Sequence, residues 1–424
     1  MRYSTSFAKT SKTAPHDTES VNARFLTQGG FVHQEMAGVY SWLPLGLRVL
    51  QKVSTIIREE MNALGAEEVL LPALQPKEGW LTTGRWDSMD DLFKVPSRSG
   101  KEYALGPTHE EIVTPLVQQF VKSYKDLPVA VYQLQTKFRD ELRAKSGVLR
   151  GREFGMKDMY SFHASKEDFE AFYQRAIKAY LQTFSRCGLD AKVVEASGGA
   201  FTKKLSHEFQ IITPAGEDTI LACLSCFFAQ NSEIATYKAS DRCPQCGGEL
   251  VMTKGVEAGN IFDLGQRFSE PFNFEVSLED GSRQKVFMGC YGIGTTRLVG
   301  AIVEASHDER GIIWPKSVAP YHIHLISLGS KDRDRQAHIQ SAALEIYETL
   351  TNQNVEVLWD DRQDSSAGEK FADADLIGLP LRLIISEKTL KEESVEWKAR
   401  AETEQRLVKV ADVLEEVGQF LKPL

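Results

Sequence analysis

Residues 138–141, Phe138-Arg139-Asp140-Glu141, and residues 150–154, Arg150-Gly151-Arg152-Glu153-Phe154, frame the stretch on which the reading of this chain turns. Side chains alternate along a strand. Arg139 and Glu141 would therefore share one face, as would Phe154, Met156, Asp158 and Tyr160. If the two faces line one cleft, it holds cations, carboxylates and an aromatic plate. Residues 137–157 carry seven Lys/Arg and three Asp/Glu, a local charge of +4 in a chain whose formal net charge is −9. A basic loop on an acidic protein suits a phosphate-bearing ligand. A solvated hairpin with surface ion pairs is the plainer alternative.

Working outward, residues 129–163 read as two strands joined by that loop. Upstream, apolar residues recur at helical spacing over 45–64 and stop at Gly65. A short strand, Val69-Leu70-Leu71, ends at Pro72. Residues 109–124 and 166–187 read as amphipathic helices. Downstream, 256–300 is strand-like and ends in a glycine-rich turn and helix around Met288-Gly289-Cys290-Tyr291-Gly292-Ile293-Gly294-Thr295-Thr296-Arg297. Its glycines allow close backbone approach to a ligand, but it matches no Walker A pattern. A boundary follows near 314–320. Beyond it, strands at 321–328, 354–359 and 381–386 alternate with helices at 332–352 and 366–378. That order implies a separate three-layer α/β domain. A last helix is expected at 403–421.

The chain has 424 residues, with 42% hydrophobic and 26% charged, ordinary for a globular protein of two or three domains. No apolar window is long enough to span a membrane, and no secretory h-region follows the first residues. The composition points to a cytoplasmic enzyme or binding protein. Four of the six cysteines, Cys223, Cys226, Cys243 and Cys246, form C-x2-C, 16 intervening residues, then C-x2-C. This spacing fits a tetrahedral zinc site of two knuckles. Four unrelated buried thiols are the alternative.

The strings already quoted resemble the signatures of class II aminoacyl-tRNA synthetases. Residues 45–72 resemble motif 1, residues 136–162 with Arg139, Glu141, Arg150 and Phe154 resemble motif 2, and residues 287–302 with Arg297 resemble motif 3. The wider text is similar to the bacterial prolyl-tRNA synthetase family. It includes Trp42-Leu43-Pro44-Leu45-Gly46, Leu105-Gly106-Pro107-Thr108-His109-Glu110-Glu111, Met156-Lys157-Asp158, Ser206-His207-Glu208-Phe209 and Gly289-Cys290-Tyr291-Gly292-Ile293-Gly294. The resemblance covers nearly the whole chain.

The resemblance implies an α+β fold: an antiparallel sheet flanked by helices over 1–317, with the four-cysteine segment, about 215–255, as a small insertion. It implies an anticodon-binding domain over 318–424. Proline, ATP with Mg²⁺, and tRNA(Pro) are the expected ligands, and the motif 1 helix suggests a homodimer. Arg139 and Arg297 would be the catalytic cations. Arg139 would bind the α-phosphate and the amino-acid carboxylate, and Glu141 would accept from the adenine amino group. Phe154 and Arg297 would sandwich the adenine, with Arg150 near the outer phosphates. Thr108 and Glu110 would hold the imino group of proline, although Thr108 with Glu111 also spells a capping box. Met156, Asp158, Tyr160 and Cys290 would surround the ring. Glu257 is a candidate Mg²⁺ ligand. His109 and His207 read as packed neighbours. Arg143 and Lys145 would meet the tRNA acceptor end, and Asp361, Arg362 and Lys370 the anticodon, with surface ion pairing as the alternative for the last three.

One departure stands out. Typical bacterial relatives carry a long editing insertion between motifs 2 and 3, and the segment from Gly216 to Gly255 leaves no room for it. Such an enzyme would activate alanine and lack editing in cis. The competing readings are a non-catalytic paralogue, which would usually have lost Arg139, Arg150 and Arg297, and a class II enzyme for another amino acid.

Overall fold

The structure is a computed structural model that describes residues 1–13, 20–199, 201–202 and 204–422. Contacts divide it into two compact units: Gln34–Tyr40 with Val53–Ala305, and Met1–His33 with Ser41–Lys52 and Ser306–Leu424. These do not coincide with a single cut at residue 317. The first residues join the second unit because the backbone of Arg2 bridges to Trp359 and the Met1 ammonium donates to Val357 O and Tyr347 Oη. Arg48 and Lys52 belong with it through ion pairs to Glu356.

The first unit is built on a nine-stranded sheet. From one edge its strands run Leu205–Ile212, Ala191–Ser197, Ala229–Asn231, Asp218–Cys223, Leu250–Gly265, Phe287–Gly294, Glu153–His163, Val129–Phe138 and Glu67–Glu68. Most pairs are antiparallel, and Leu205–Ile212 also pairs with Leu250–Gly265, closing a ring of five strands at that end. Val129–Phe138 and Glu153–His163 are rich in β-branched and aromatic residues. On the second of these, Phe154, Met156, Asp158, Tyr160 and Phe162 share a face. Tyr160 and Phe162 pack with Val113 and Val117 of the helix Glu110–Phe120. The opposite face meets the helix Lys166–Arg186, where Tyr180 Oη accepts from Lys157. That helix begins at Ser165, whose side chain accepts from Asp168 N, and ends before Gly188 at φ 79°.

Three expectations shift here. The edge strand is Glu67–Glu68 rather than residues 69–71: only Val69 N still reaches Tyr132 O, and Leu71 N turns to the side chain of Gln133. The glycine-rich turn is a strand, Phe287–Gly294, running straight into the helix Thr295–Ala305. The four-cysteine segment is not a separate insertion at its ends. Asp218–Cys223 and Leu250–Gly265 are inner strands of the main sheet, and the residues between carry the knuckles and one short strand, Ala229–Asn231.

In the second unit, Val357–Asp360, Ile323–Ser327 and Leu381–Ile385 form parallel neighbours, followed by antiparallel Ser394–Ala399 and Arg406–Lys409. Helices Arg333–Asn352 and Val413–Leu421 bury Ile339, Ile346, Val413 and Val417 against Leu325 and Leu383. Helix Ala367–Ile377 covers Ile326 and Ile384 on the other face. The expected three layers are thus present. The expected helix at 403–421 begins only at Val413, because Arg406–Lys409 extends the sheet.

Candidate active site

Strand Val129–Phe138 ends one residue before Arg139, so Arg139 and Glu141 lie just past the strand rather than on one face of it. Arg139 N donates to Arg152 O at 2.9 Å, which keeps the two chains together at the mouth of the loop. The Arg139 guanidinium lies 5.3 Å from the Phe154 ring centroid. Arg297 occupies the first turn of its helix, where the dipole disfavours a cation. It is held by Leu149 O at 2.7 Å, Glu257 O at 3.0 Å and the Glu257 carboxylate at 3.3 Å. A cation kept against the dipole by three acceptors indicates a place made for negative charge.

Two cavities share Arg139, Glu257 and Arg297. One, about 130 Å³, is lined further by Thr108, Phe154, Met156, Asp158 and Cys290. The other, about 230 Å³, is lined by Glu141, Arg150 and Glu217. Gly292 borders the first, and a Cβ there would meet nothing nearer than 3.8 Å, so its missing side chain leaves usable space. Glu141 already accepts from Arg150 at 2.8 and 3.1 Å, and Arg150 also reaches Glu217 at 3.3 Å.

The closed end is a buried polar network. Asp158 pairs with Lys137 at 2.8 Å and accepts from Tyr160 Oη at 2.9 Å and Gln133 Nε2 at 3.0 Å. Burial alone would raise its pKa, but Lys137 and His109 outweigh burial and hold it below the usual range. His109 Nδ1 lies 2.6 Å from Lys137 Nζ and Nε2 lies 3.0 Å from Pro72 O, which suits a neutral ring protonated on Nε2. Burial and then Lys137 push its pKa down to about 4. Tyr160 Oη accepts from His109 N at 2.9 Å. Thr108 Oγ1 donates to Glu110 Oε2 at 2.6 Å, whereas Glu110 Oε1 is buried with no hydrogen-bond partner among the described residues. Burial and the nearby Glu110 carboxylate raise the Cys290 thiol well above its ordinary value. His207 packs edge-on against Tyr173, away from these cavities' linings.

Sequence reading passed over Lys137, Gln133 and Arg85. The first two had a signal: Gln133, Gln135 and Lys137 alternate on one strand and pair with Asp158, Met156 and Phe154 of the next. Arg85 had none, standing in a loop segment 25 residues before its partner Glu110.

Arg143 is exposed, and Lys145 lies 3.5 Å from Glu217. The three C-terminal candidates fare differently. Lys370 is buried, and its ammonium donates to Ser327 O at 2.8 Å and Asp360 O at 3.3 Å, so it does not face a base. Arg362 is tied to Asp360 and Asp373, each at 2.7 Å, and Asp361 accepts from Ser4. Ion pairing and packing account for all three.

The four cysteines of the knuckles have Sγ atoms all within 4.8 Å of one another, with Cys223–Cys246 at 3.5 Å and Cys226–Cys243 at 3.6 Å. A disulfide would need about 2.05 Å, and a zinc tetrahedron with Zn–S of about 2.3 Å has S···S edges of about 3.8 Å. Backbone N–H groups of Ser225, Phe228 and Gly248 point at Sγ of Cys223, Cys226 and Cys246, as suits thiolates.

Sheet, flanking helices and cation-lined cavity together define a class II tRNA synthetase core. The family described as tRNA synthetase class II core domain (G, H, P, S and T) matches residues 93–306, and that described as anticodon binding domain matches residues 322–419. The fold is shared with a prolyl-tRNA synthetase of Cryptosporidium parvum, crystallised with halofuginone and AMPPNP, at TM-score 0.78 and 16% identity over 94% of this chain and 76% of that one. Among curated relatives, the proline–tRNA ligase of Agrobacterium fabrum is 41% identical over 97% of this chain and 98% of its own. That of Geobacillus sp. is 35% identical at full coverage of both, over 572 aligned positions. On this likeness the chain belongs to the prolyl-tRNA synthetase family. Since it has 424 residues, about 148 positions of the Geobacillus alignment hold none of its own. No helix among the described residues is long and apolar enough to cross a membrane.

Proposed function

We propose that this chain joins proline to tRNA(Pro) in two steps. A proline carboxylate oxygen attacks the α-phosphorus of ATP, and pyrophosphate leaves. The 3′-terminal adenosine hydroxyl of the tRNA then attacks the prolyl carbonyl, and AMP leaves. The observation that carries this is one cavity joining Arg139, Phe154 and Arg297 to Thr108, Asp158 and Cys290, with the buried acceptor Glu110 bonded to Thr108. The cationic end suits nucleotide phosphates, and the small closed end suits a compact apolar ring with a charged nitrogen.

No nucleophile of the chain is needed. Arg139 and Arg297 hold the carboxylate and phosphate in line and neutralise charge that grows in the transition state. Phe154 offers a face for the adenine. Glu141 and Arg150 line the adjoining cavity, for the adenine edge and outer phosphates. Thr108 and Glu110 Oε1 receive the secondary ammonium. Asp158 is assigned the wall of the ring pocket rather than the counter-charge, since its charge is matched by Lys137. Met156 and Cys290 complete that wall, and Tyr160 backs it from behind through its bond to Asp158. Mg²⁺ entering with ATP fits Glu257 and the buried, unpartnered Oδ1 of Asn260, and would neutralise phosphate charge. Arg143 and Lys145 are exposed near the loop tip and suit the acceptor end. The four-cysteine knuckles suit a structural Zn²⁺, closed to substrate.

The chain is assigned to a homodimer. Leu116 and Phe120, one turn apart on Glu110–Phe120, and Leu70 leave large apolar side chains exposed, Phe120 by 77% and Leu70 by 78%. A second copy is the occupant the motif 1 resemblance indicates.

The test is amino-acid-dependent ATP–pyrophosphate exchange across twenty amino acids. Proline should give the strongest signal, and Arg139→Ala should lower it by roughly 10²–10³ or more. Folded protein showing no exchange with proline would overturn the proposal.

A further inference from the structure

Glu110 and Glu111 are adjacent, both fully buried, and both face one guanidinium. Arg85 Nη1 lies 3.3 Å from Glu110 Oε2 and 3.0 and 3.3 Å from the two oxygens of Glu111. Arg85 is itself only 4% exposed. Its guanidinium is caged by Trp80, Phe201 and Phe268, with ring centroids at 5.2 to 5.4 Å. The cage is fixed to the site: Trp80 Nε1 donates to Gln75 Oε1, and Gln75 Nε2 donates to Thr108 O, each at 2.9 Å. Thr83 Oγ1 donates to Glu111 at 2.8 Å.

Two features of this cluster call for a ligand. First, its bonds are unequal. Glu110 Oε2 is taken by Thr108 and Arg85, and Oε1, equally buried, meets no N–H or O–H donor among the described residues, the Cys290 thiol being the weak donor beside the carboxylate. A buried acceptor left unmatched costs about 1–3 kcal/mol, a cost that a bound donor removes. Second, the charges do not close. One guanidinium faces two carboxylates directly; Lys137 also senses Glu110 but is paired with Asp158 at 2.8 Å, and Arg267 lies on an exposed position. Burial raises the Glu111 carboxyl to about 7, with Arg85 opposing the rise and Glu110 adding to it. Nη1 alone reaches both carboxylates, while Nη2 is turned to Met89 Sδ at 3.6 Å, so the planar guanidinium is fixed in direction from both ends.

We propose that Arg85 is a positioning residue for the substrate amine: it clamps Glu110 by Oε2 so that Oε1 stays presented, and the secondary ammonium of proline supplies the positive charge the cluster lacks. Arg85 touches no substrate. It acts through Glu110, and the inference rests on the reading of Glu110 given above.

The experiment measures KM for proline, KM for ATP and kcat in pyrophosphate exchange for wild type, Arg85→Lys, Arg85→Gln and Glu110→Gln, with melting temperature as the folding control. Arg85→Gln should raise KM for proline tenfold or more, with KM for ATP within about twofold. Arg85→Lys keeps the charge but loses the fork and should fall between. It also carries the test if the glutamine variant fails to fold. Glu110→Gln should raise KM for proline at least as much. KM for proline unchanged in both Arg85 variants while Glu110→Gln raises it overturns the role of Arg85 and leaves the assigned function standing. KM for ATP rising as much as KM for proline makes Arg85 merely structural and also overturns it. No effect of Glu110→Gln would instead remove the reading on which the proposal stands.

Discussion

Asp158 and Glu110 are two buried carboxylates in one site, and their partners separate them. Asp158 takes hydrogen bonds from Tyr160 and Gln133 on Oδ2 and the Lys137 charge on Oδ1 at 2.8 Å, whereas Glu110 Oε1 meets no cation among the described residues. The resemblance set both beside the proline, and the sequence shows which residues share a face but not which partner each one finds. Removing one member of a buried pair strands the other. Lys137→Met should therefore cost about 3–5 kcal/mol in denaturant unfolding, and Lys137→Met with Asp158→Asn should recover part of it. A double variant no better than the single one would show that the pair is not the term that matters. A second residue-scale expectation concerns His324, which is buried with neither ring nitrogen hydrogen-bonded among the described residues. Burial holds its pKa down to about 4. The unfolded chain binds that proton from about pH 6.5, so stability is lost as pH falls from 6.5 toward 4. The loss attributable to this group is at most roughly 3 kcal/mol. His324→Leu should flatten the stability curve across that window. Glu111 and Glu208, each raised to about 7 by burial, act with the opposite sign, so the comparison with the variant is what isolates the histidine.

At the scale of elements, periodicity carried the reading where one face is buried and failed where pairing decides. Lys166–Arg186 and Arg333–Asn352 were legible because each has an apolar stripe and a start signal, a Ser or an Asp cap. Arg406–Lys409 was taken for helix because four residues carry too little pattern. It is a strand only because Ser394–Ala399 lies beside it. The strand Phe287–Gly294 read as a turn because glycine usually marks one, yet here the missing side chains make room. At Gly289 a Cβ would lie 2.3 Å from Tyr291 Oη, and at Gly155 one would lie 2.4 Å from Thr295 Oγ1. The four-cysteine element was legible as a motif, but not as the link between two inner strands. Because Cys223 ends the strand that Asp218 begins, and Asp218 lines the larger of the two cavities, breaking the four-cysteine cluster should disturb more than a surface loop. Metal analysis should find about one zinc per chain, and Cys226→Ser should lower Tm by roughly 5–10 °C. Well under one zinc in freshly purified protein would count against the site.

For the whole molecule, the order of catalytic and anticodon-type regions was readable because both alternate strongly. The return of residues 1–33 to the C-terminal unit was not, since a bridge such as Arg2 to Trp359 leaves no local pattern. The consequence that belongs to this scale is fidelity. Alanine carries a primary ammonium in place of proline's secondary one and the same carboxylate, so Glu110, Thr108 and Arg139 can hold it too. It lacks only ring methylenes, which would touch Met156 and Cys290. A pocket cannot exclude a smaller ligand by clash, and each missing methylene is worth about 1–3 kcal/mol. Alanine should therefore support exchange at a kcat/KM lower by roughly 10²–10⁴. The Geobacillus relative fills about 148 aligned positions that this chain does not, and the resemblance would set an editing domain between motifs 2 and 3, a span in which this chain carries the knuckles between Asp218–Cys223 and Leu250–Gly265. Alanyl-tRNA(Pro) incubated with the purified protein should then decay no faster than in buffer. Rapid, enzyme-dependent deacylation would mean that a hydrolytic site exists elsewhere on this chain, and that the cavity's selectivity need not bear the whole burden of choosing proline.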